Sequence, residues 1–166
     1  MKRTLILDDD LALAQSFARE FEDAGHAVVL ADSLAKIPAQ AFDYAVLDVR
    51  LKGELGMTAI DQIKAHAPHC RIVMLSGYGS IATAVEAVKK GAADYLTKPA
   101  SFAEIWAALE GRRRQAGADL KTQSLSEVEH EHIEFVLSRN RGNISQTAKE
   151  LGLHRQSLQR KLKKYT

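Results

Sequence analysis

The chain has 166 residues, 46% of them hydrophobic, and a formal net charge of +2. That is long enough for one compact domain plus a small helical module, and apolar enough to exclude wholesale disorder. A single cysteine, Cys70, excludes an internal disulfide and a cysteine metal cluster, and reads as a buried small hydrophobe.

Thr4 to Leu7 is a short apolar run closed by Asp8, Asp9 and Asp10, which predicts a buried strand. Leu13, Ala14, Phe17, Ala18 and Phe21 recur at helical spacing, with Gly25 placed to end the helix. Ala27 to Ala31 predicts a second strand, and Leu34 to Ile37 a weak helical turn interrupted by Pro38. Tyr44 to Arg50 holds the third strand, with Asp48 at its carboxyl end. Met57, Ile60, Ile63 and Ala67 mark a helix stopped by Pro68. Ile72 to Leu75 predicts a fourth strand. Ile81, Ala84, Val85 and Val88 mark a helix that Gly91 ends, and Tyr95 and Leu96 lie in a short fifth strand. Ser101 and Glu104 fit a capping box that opens a helix reaching about Arg112.

Five strands alternating with helices predict a doubly wound, five-stranded parallel sheet with helices on both faces. From Gly111 to Leu125 the chain turns into three arginines, two glycines and few large apolar residues, read as a helix end and a linker. Ser126 and Glu129 match a second capping box, opening a helix through about Arg139. Asn143 then caps a short helix, Ile144 to Leu151, and Gly152 turns into a last helix from about His154 to Tyr165. The expected division is 1–114 for the α/β domain, 115–125 for the linker and 126–166 for a small all-α domain. Charge supports it: residues 1–111 hold 11 Lys+Arg against 15 Asp+Glu, a net of −4, while residues 112–166 hold 12 against 6, a net of +6. A basic second module implies a polyanion partner. No apolar run approaches a membrane span, so a soluble cytoplasmic protein without a membrane partner is expected.

In folds of this class ligands sit beyond the carboxyl ends of the strands, where the strand order reverses. Asp8 and Asp9, Asp48, Ser76 and Lys98 all fall at such ends. A carboxylate that accepts a phosphoryl group needs a magnesium ion on hard oxygen ligands, a fixed cation and a hydroxyl donor. Asp8, Asp9 and Asp48 supply carboxylates, Lys98 the cation and Ser76 the hydroxyl. Singly, each has a plainer reading as a helix cap, a turn residue or loop chemistry. Together, a complementary set on separate strand ends points to a phosphoryl-accepting site. Asp10 is left as a helix-capping residue.

In the basic module, Ala148 is small enough to let two helices approach, and Leu153, Leu158 and Leu162 form the apolar stripe of the last helix. Arg155, Arg160, Lys161, Lys163 and Lys164 carry positive charge with no acid among them. This is the layout of a helix-turn-helix whose second helix enters a major groove of double-stranded DNA.

Residues 1–111 resemble the receiver domain of two-component response regulators, with a flavodoxin-like fold, through Leu7-Asp8-Asp9-Asp10, Leu47-Asp48, Ser76-Gly77, Tyr95 and Lys98-Pro99. The resemblance implies that Asp48 is phosphorylated by a sensor histidine kinase. It implies that Asp8, Asp9, Asp48 and the backbone carbonyl of Arg50 hold Mg2+ (or Mn2+), Asp9 as the direct ligand. It implies that Lys98 contacts the phosphoryl group, that Lys98-Pro99 is a cis peptide, and that Ser76 and Tyr95 move to relay the change. Arg50 and Tyr78 flank the site, at positions that tune phosphate lifetime in this family. The loop after Asp48 departs from the family's usual Pro and Gly: it reads Leu51-Lys52-Gly53-Glu54-Leu55-Gly56, with Gly56 in place and Gly53 displaced.

Gly142 to Tyr165 resembles the Fis-type helix-turn-helix. That implies that His154, Arg155, Gln156, Ser157, Gln159 and Arg160 face DNA, Arg155 as the best reader of a guanine edge. Ser145, Gln146, Lys161 and Lys164 would mainly hold phosphates. It also implies a homodimer built on the helix from Glu127 to Arg139. A receiver joined directly to such a module is similar to the RegA/PrrA/ActR group of bacterial response regulators. The expected function is a phosphorylation-switched transcription regulator rather than a turnover enzyme. The alternatives are a constitutive architectural DNA binder and a magnesium-dependent aspartyl phosphohydrolase. The hydrolase reading wants a second acid two residues after the nucleophile, where this chain has Arg50.

Overall fold

The structure, a computed structural model, describes residues 1–77, 79, 81–112 and 125–164, without the side chains of 127, 128 and 131. The chain divides into two compact units, residues 1–118 and 119–166. Most of the expected linker, together with Tyr78, Ser80 and Tyr165, lies outside the described residues.

The first unit is built on strands β1 (Arg3–Leu7), β2 (Ala27–Ala31), β3 (Tyr44–Asp48), β6 (Arg71–Ser76) and β7 (Asp94–Thr97). Between β3 and β6 come the short strands β4 (Arg50–Leu51) and β5 (Glu54–Leu55) and helix α2 (Thr58–His66). Helix α1 (Leu11–Asp23) follows β1, α3 (Ile81–Lys90) follows β6, and α4 (Phe102–Leu109) follows β7. The five long strands form one sheet in the order β2-β1-β3-β6-β7, every neighbour parallel.

Parallel strands covered on both faces carry apolar residues in unbroken runs, and alternate residues go to opposite sides. Leu5, Leu7, Ala45, Leu47, Ile72 and Met74 pack on one face with Ala59, Ile60 and Ile63 of α2 and Ala87 of α3. Ile6, Val46, Val73, Leu75 and Leu96 pack on the other with Phe17 and Phe21 of α1 and Ile105 and Leu109 of α4. Every residue of β3 is buried, so it is the sheet's spine. The chain leaves β1 for β2 on one side and returns to β3 on the other. The strand order therefore reverses between β1 and β3, and a crevice opens beyond their carboxyl ends.

Local chemistry sets the helix limits. Asp10 caps α1, accepting from the N–H groups of Ala12 and Leu13 at 3.1 Å each. Ser101 and Glu104 form the full capping box of α4. That helix ends at Leu109 rather than near Arg112, because Glu110 is its C-cap and Gly111 turns left-handed at φ +72°. The weak turn after β2 is a single 3-10 turn, Leu34–Lys36. Cys70 is buried among the core residues of the first face, and burial pushes its thiol up to about 12, as expected of a small hydrophobe. At the opposite end of the sheet from the crevice, His26 lies stacked on Tyr44 with its ring edge to Trp106. Thr4 Oγ1 is 2.7 Å from His26 Nδ1, and burial, then the charge of Lys2, holds this histidine's pKa below the ordinary value.

The second unit has helices α5 (Leu125–Arg139), α6 (Ile144–Glu150) and α7 (Arg155–Lys164). Ile133, Ala148 and Leu158 are its buried cluster, with Ile144, Leu151, Leu153 and Leu162 packed around it. Asn143 caps α6, accepting from Gln146 N–H at 3.1 Å. Ser126 lies inside α5, and the Glu129 carboxylate is taken by Lys161 Nζ at 2.6 Å. No helix among the described residues is long and apolar enough to cross a membrane.

Candidate functional site

The crevice between β1 and β3 gathers the acids. Leu7 pairs with Leu47 and Asp48 with Leu75, so Asp8, Asp9 and Asp48 emerge together at adjacent strand ends. One carboxylate oxygen from each lies within 4.8 Å of the other two. Hard oxygens grouped so closely fit a divalent cation that prefers carboxylate ligands. Asp8 and Asp48 are buried, at 3% and 8% exposure, while Asp9 is half-buried and open to approach.

Lys98 comes from the end of β7. Ser76 pairs with Thr97, and the N–H of Lys98 donates to the Ser76 carbonyl at 2.6 Å, which carries the lysine over the crevice. The Lys98–Pro99 peptide is cis. Lys98 Nζ reaches Asp8 Oδ2 at 2.8 Å and Asp48 Oδ2 at 2.9 Å, bridging the two carboxylates. Burial opposes the Lys98 charge, but its hydrogen bonds and ion pairs with Asp8 and Asp48 outweigh that and raise its pKa. On Asp48 the balance runs the other way. Burial is the largest influence and, with the Asp8 charge, raises its pKa against the opposing pull of Lys98 and the Arg50 N–H.

The remaining oxygens are also held. Asp8 Oδ1 accepts from Asp10 N–H at 2.9 Å, and Asp48 Oδ1 from Arg50 N–H at 3.1 Å. Ser76 is buried at the end of β6, and Tyr95 on β7 packs against the first core cluster. The structure thus brings Asp8, Asp9, Asp48, Arg50, Ser76 and Lys98 to one edge of the sheet, with Tyr95 two residues before Thr97 on the outer strand.

Sequence reading missed the hairpin that succeeds Asp48. Arg50–Leu55 is a small antiparallel ribbon, with Arg50 opposite Leu55 and Leu51 opposite Glu54. Gly53 makes its turn at φ +75°. Gly56 closes it against the main chain of Asp48: a Cβ there would stand 1.7 Å from the Asp48 carbonyl oxygen. The apparent displacement of Gly53 therefore reflects two glycines with separate tasks, one turning the hairpin and one admitting the backbone of the acid. Two-residue strands carry no readable period, which is why the hairpin left no trace in the hydrophobic pattern.

In the second unit His154, Arg155, Gln156, Arg160, Ser145, Gln146 and Lys164 are exposed, and Ser157 and Gln159 half-buried. Gln156, Gln159, Arg160 and Lys163 line a groove of about 490 Å³ with Ile144 and Leu162. Lys161, expected on phosphate, is half-buried and ion-paired with Glu129 of α5.

A doubly wound sheet with three clustered acids, two of them bridged by a lysine, joined to a basic helix-turn-helix, defines a class. The chain belongs to the two-component response regulators: residues 4–110 match the response regulator receiver domain, and residues 124–165 match the bacterial regulatory protein, Fis family. It combines a receiver with a helix-turn-helix DNA-binding domain. Among full-length relatives it is 42% identical to the acid tolerance regulatory protein ActR of Rhizobium meliloti, over 98% of this chain and 87% of that one. It is 40% identical to the photosynthetic apparatus regulatory protein RegA of Cereibacter sphaeroides, over 96% and 90%. Among solved structures it resembles a Burkholderia pseudomallei response regulator with a phosphorylated aspartic acid, calcium ion and citrate. The TM-score is 0.65 at 40% identity, covering 96% of this chain and 98% of that one.

Proposed function

We propose that Asp48 is the phosphoryl acceptor for a sensor histidine kinase, and that its state controls how the second unit engages double-stranded DNA. The observation that carries this reading is the Lys98 ammonium bridging Asp8 and Asp48, with Asp9 alongside. Asp8, Asp9, Asp48 and the Arg50 carbonyl are the residues that would hold Mg2+ (or Mn2+). When bound, that ion would neutralise the phosphoryl oxygens and so let the Asp48 carboxylate approach the phosphorus as the bond to the donor breaks. The chain supplies the rest. The Arg50 N–H holds Asp48 Oδ1 and so orients the carboxylate. Lys98, already beside Asp48 Oδ2, offers fixed positive charge to the transferred group. Ser76 donates its hydroxyl, and Tyr95 follows the space that Ser76 leaves, which relays the change away from the crevice.

The receiver extends over 1–114, a linker over 115–125 and the DNA-binding domain over 126–166. The protein works in the bacterial cytoplasm and stores a phosphoryl group rather than turning substrate over, since the position two residues after Asp48 is Arg50 and not an acid. The match of residues 124–165 to the Fis family supports a homodimer through the α5 helix.

Incubation with magnesium and a small phosphodonor tests the reading. The wild type is expected to form one stable adduct, detected by intact mass, that Asp48→Asn lacks. Continuous release of phosphate from many donors would instead identify a hydrolase, and no adduct at all a constitutive DNA binder. For DNA, Arg155→Ala is expected to weaken binding at a specific site by about 1–3 kcal/mol while leaving random DNA little affected. Fluorescence anisotropy with both duplexes measures the two losses, and equal losses would remove Arg155 from base reading.

A further inference from the structure

We infer that Glu54 is a positioning residue that fixes the spacing of the two halves of the metal site, and thereby sets magnesium affinity. The inference rests on the reading of Asp8, Asp9 and Asp48 as metal ligands. Glu54 Oε2 accepts from the backbone N–H of Leu34 at 3.0 Å, a contact across 20 residues of sequence. Leu34 opens the 3-10 turn after β2, and its N-cap residue, Ser33, makes no side-chain hydrogen bond to that turn. Glu54 takes the place the cap leaves. Below the tether, Leu51 of the hairpin is buried in the core cluster against which Leu34 packs, so the two segments are joined by apolar contact as well as by the hydrogen bond.

The tether closes a ring through both acids. On one side, Arg50 N–H holds Asp48 Oδ1, and Arg50–Leu51 is laddered to Glu54–Leu55. On the other, three residues before Leu34, the Ala31 carbonyl accepts from Asp8 N–H at 3.1 Å. The exit of β2 thus holds Asp8 and the hairpin holds Asp48, and Glu54 ties one to the other. Lys98 bridges the Asp8 and Asp48 carboxylates, while the tether braces the backbone segments that carry them, and groups that orient metal ligands weigh heavily in affinity. Nothing in the sequence marks Glu54. It is one polar residue in a polar loop.

Magnesium titration by calorimetry on the full chain, with Glu54→Ala and Glu54→Gln, tests this. Glu54→Ala is expected to weaken magnesium binding about tenfold. In metal-free buffer it is expected to speed amide hydrogen exchange at Leu34 and Arg50. Glu54→Gln keeps an acceptor oxygen and is expected to restore both toward wild type. A glutamine variant that loses as much affinity as the alanine variant would show that the charge acts rather than the tether, and would overturn the inference. So would unchanged affinity in Glu54→Ala. A wild type that binds no magnesium would overturn the reading of the acids and, with it, the role of Glu54. A wild type that binds normally beside an unaffected Glu54→Ala would overturn the role of Glu54 alone.

Discussion

Gly56→Ala is expected to destabilise the receiver by on the order of 3–5 kcal/mol, above the usual range for an overpacked site, because the obstacle is main chain. The added Cβ would stand 1.7 Å from the carbonyl oxygen of Asp48 and 3.0 Å from its carbonyl carbon. Neither can rotate away. Gly56 N–H is itself bonded to the Val49 carbonyl at 3.0 Å, and Val49 N–H to the Leu75 carbonyl at 2.8 Å, so the collision is transmitted into the central strands. A drop in melting temperature of about 10–20 °C is the corresponding signal. Gly53→Ala in the same hairpin is the control. It meets nothing within 4 Å and bears only its left-handed φ of +75°, worth about 1–2 kcal/mol. If the two variants melt together, the close packing of Gly56 on Asp48 is not what the hairpin depends on.

How much of this was open to sequence reading depends on how each feature is made. A parallel strand buried on both faces is a run of apolar residues, so Leu5-Ile6-Leu7 and Ala45-Val46-Leu47 announce themselves and carry the adjoining acids into view. Lys98 is legible for the same reason, since it directly follows the last strand. The parts that position these groups are not. The Glu54 tether joins a side chain to a backbone N–H, and any residue but proline has that donor. The Glu129 carboxylate shows the same limit, since its partner, Lys161 of α7, lies 32 residues away in the sequence. That pairing is a fact about packing that composition cannot convey.

Lys98→Ala is expected to destabilise the protein by about 3 kcal/mol in excess EDTA, the low end for breaking a buried pair because one carboxylate can take up a proton in response. The ammonium sits 2.8 Å from Asp8 and 2.9 Å from Asp48, and the two acid side chains are only 4% and 10% exposed. Without it, two buried carboxylates face each other with Asp9 beside them, and the main influence that lowers the Asp48 pKa is gone. The Asp48 pKa should therefore rise further, which carboxyl chemical shifts monitored through an acid titration would register. Magnesium discriminates between explanations. A cation that binds the folded acids supplies the missing positive charge and stabilises only the folded state, so the deficit of Lys98→Ala should shrink when the denaturation is repeated in excess magnesium. Lys98→Arg should recover only part of the loss, because a planar guanidinium on a different stem does not place one point charge between two oxygens. An equal deficit with and without magnesium would mean that the side chain contributes through packing of its methylenes and not through its charge between Asp8 and Asp48.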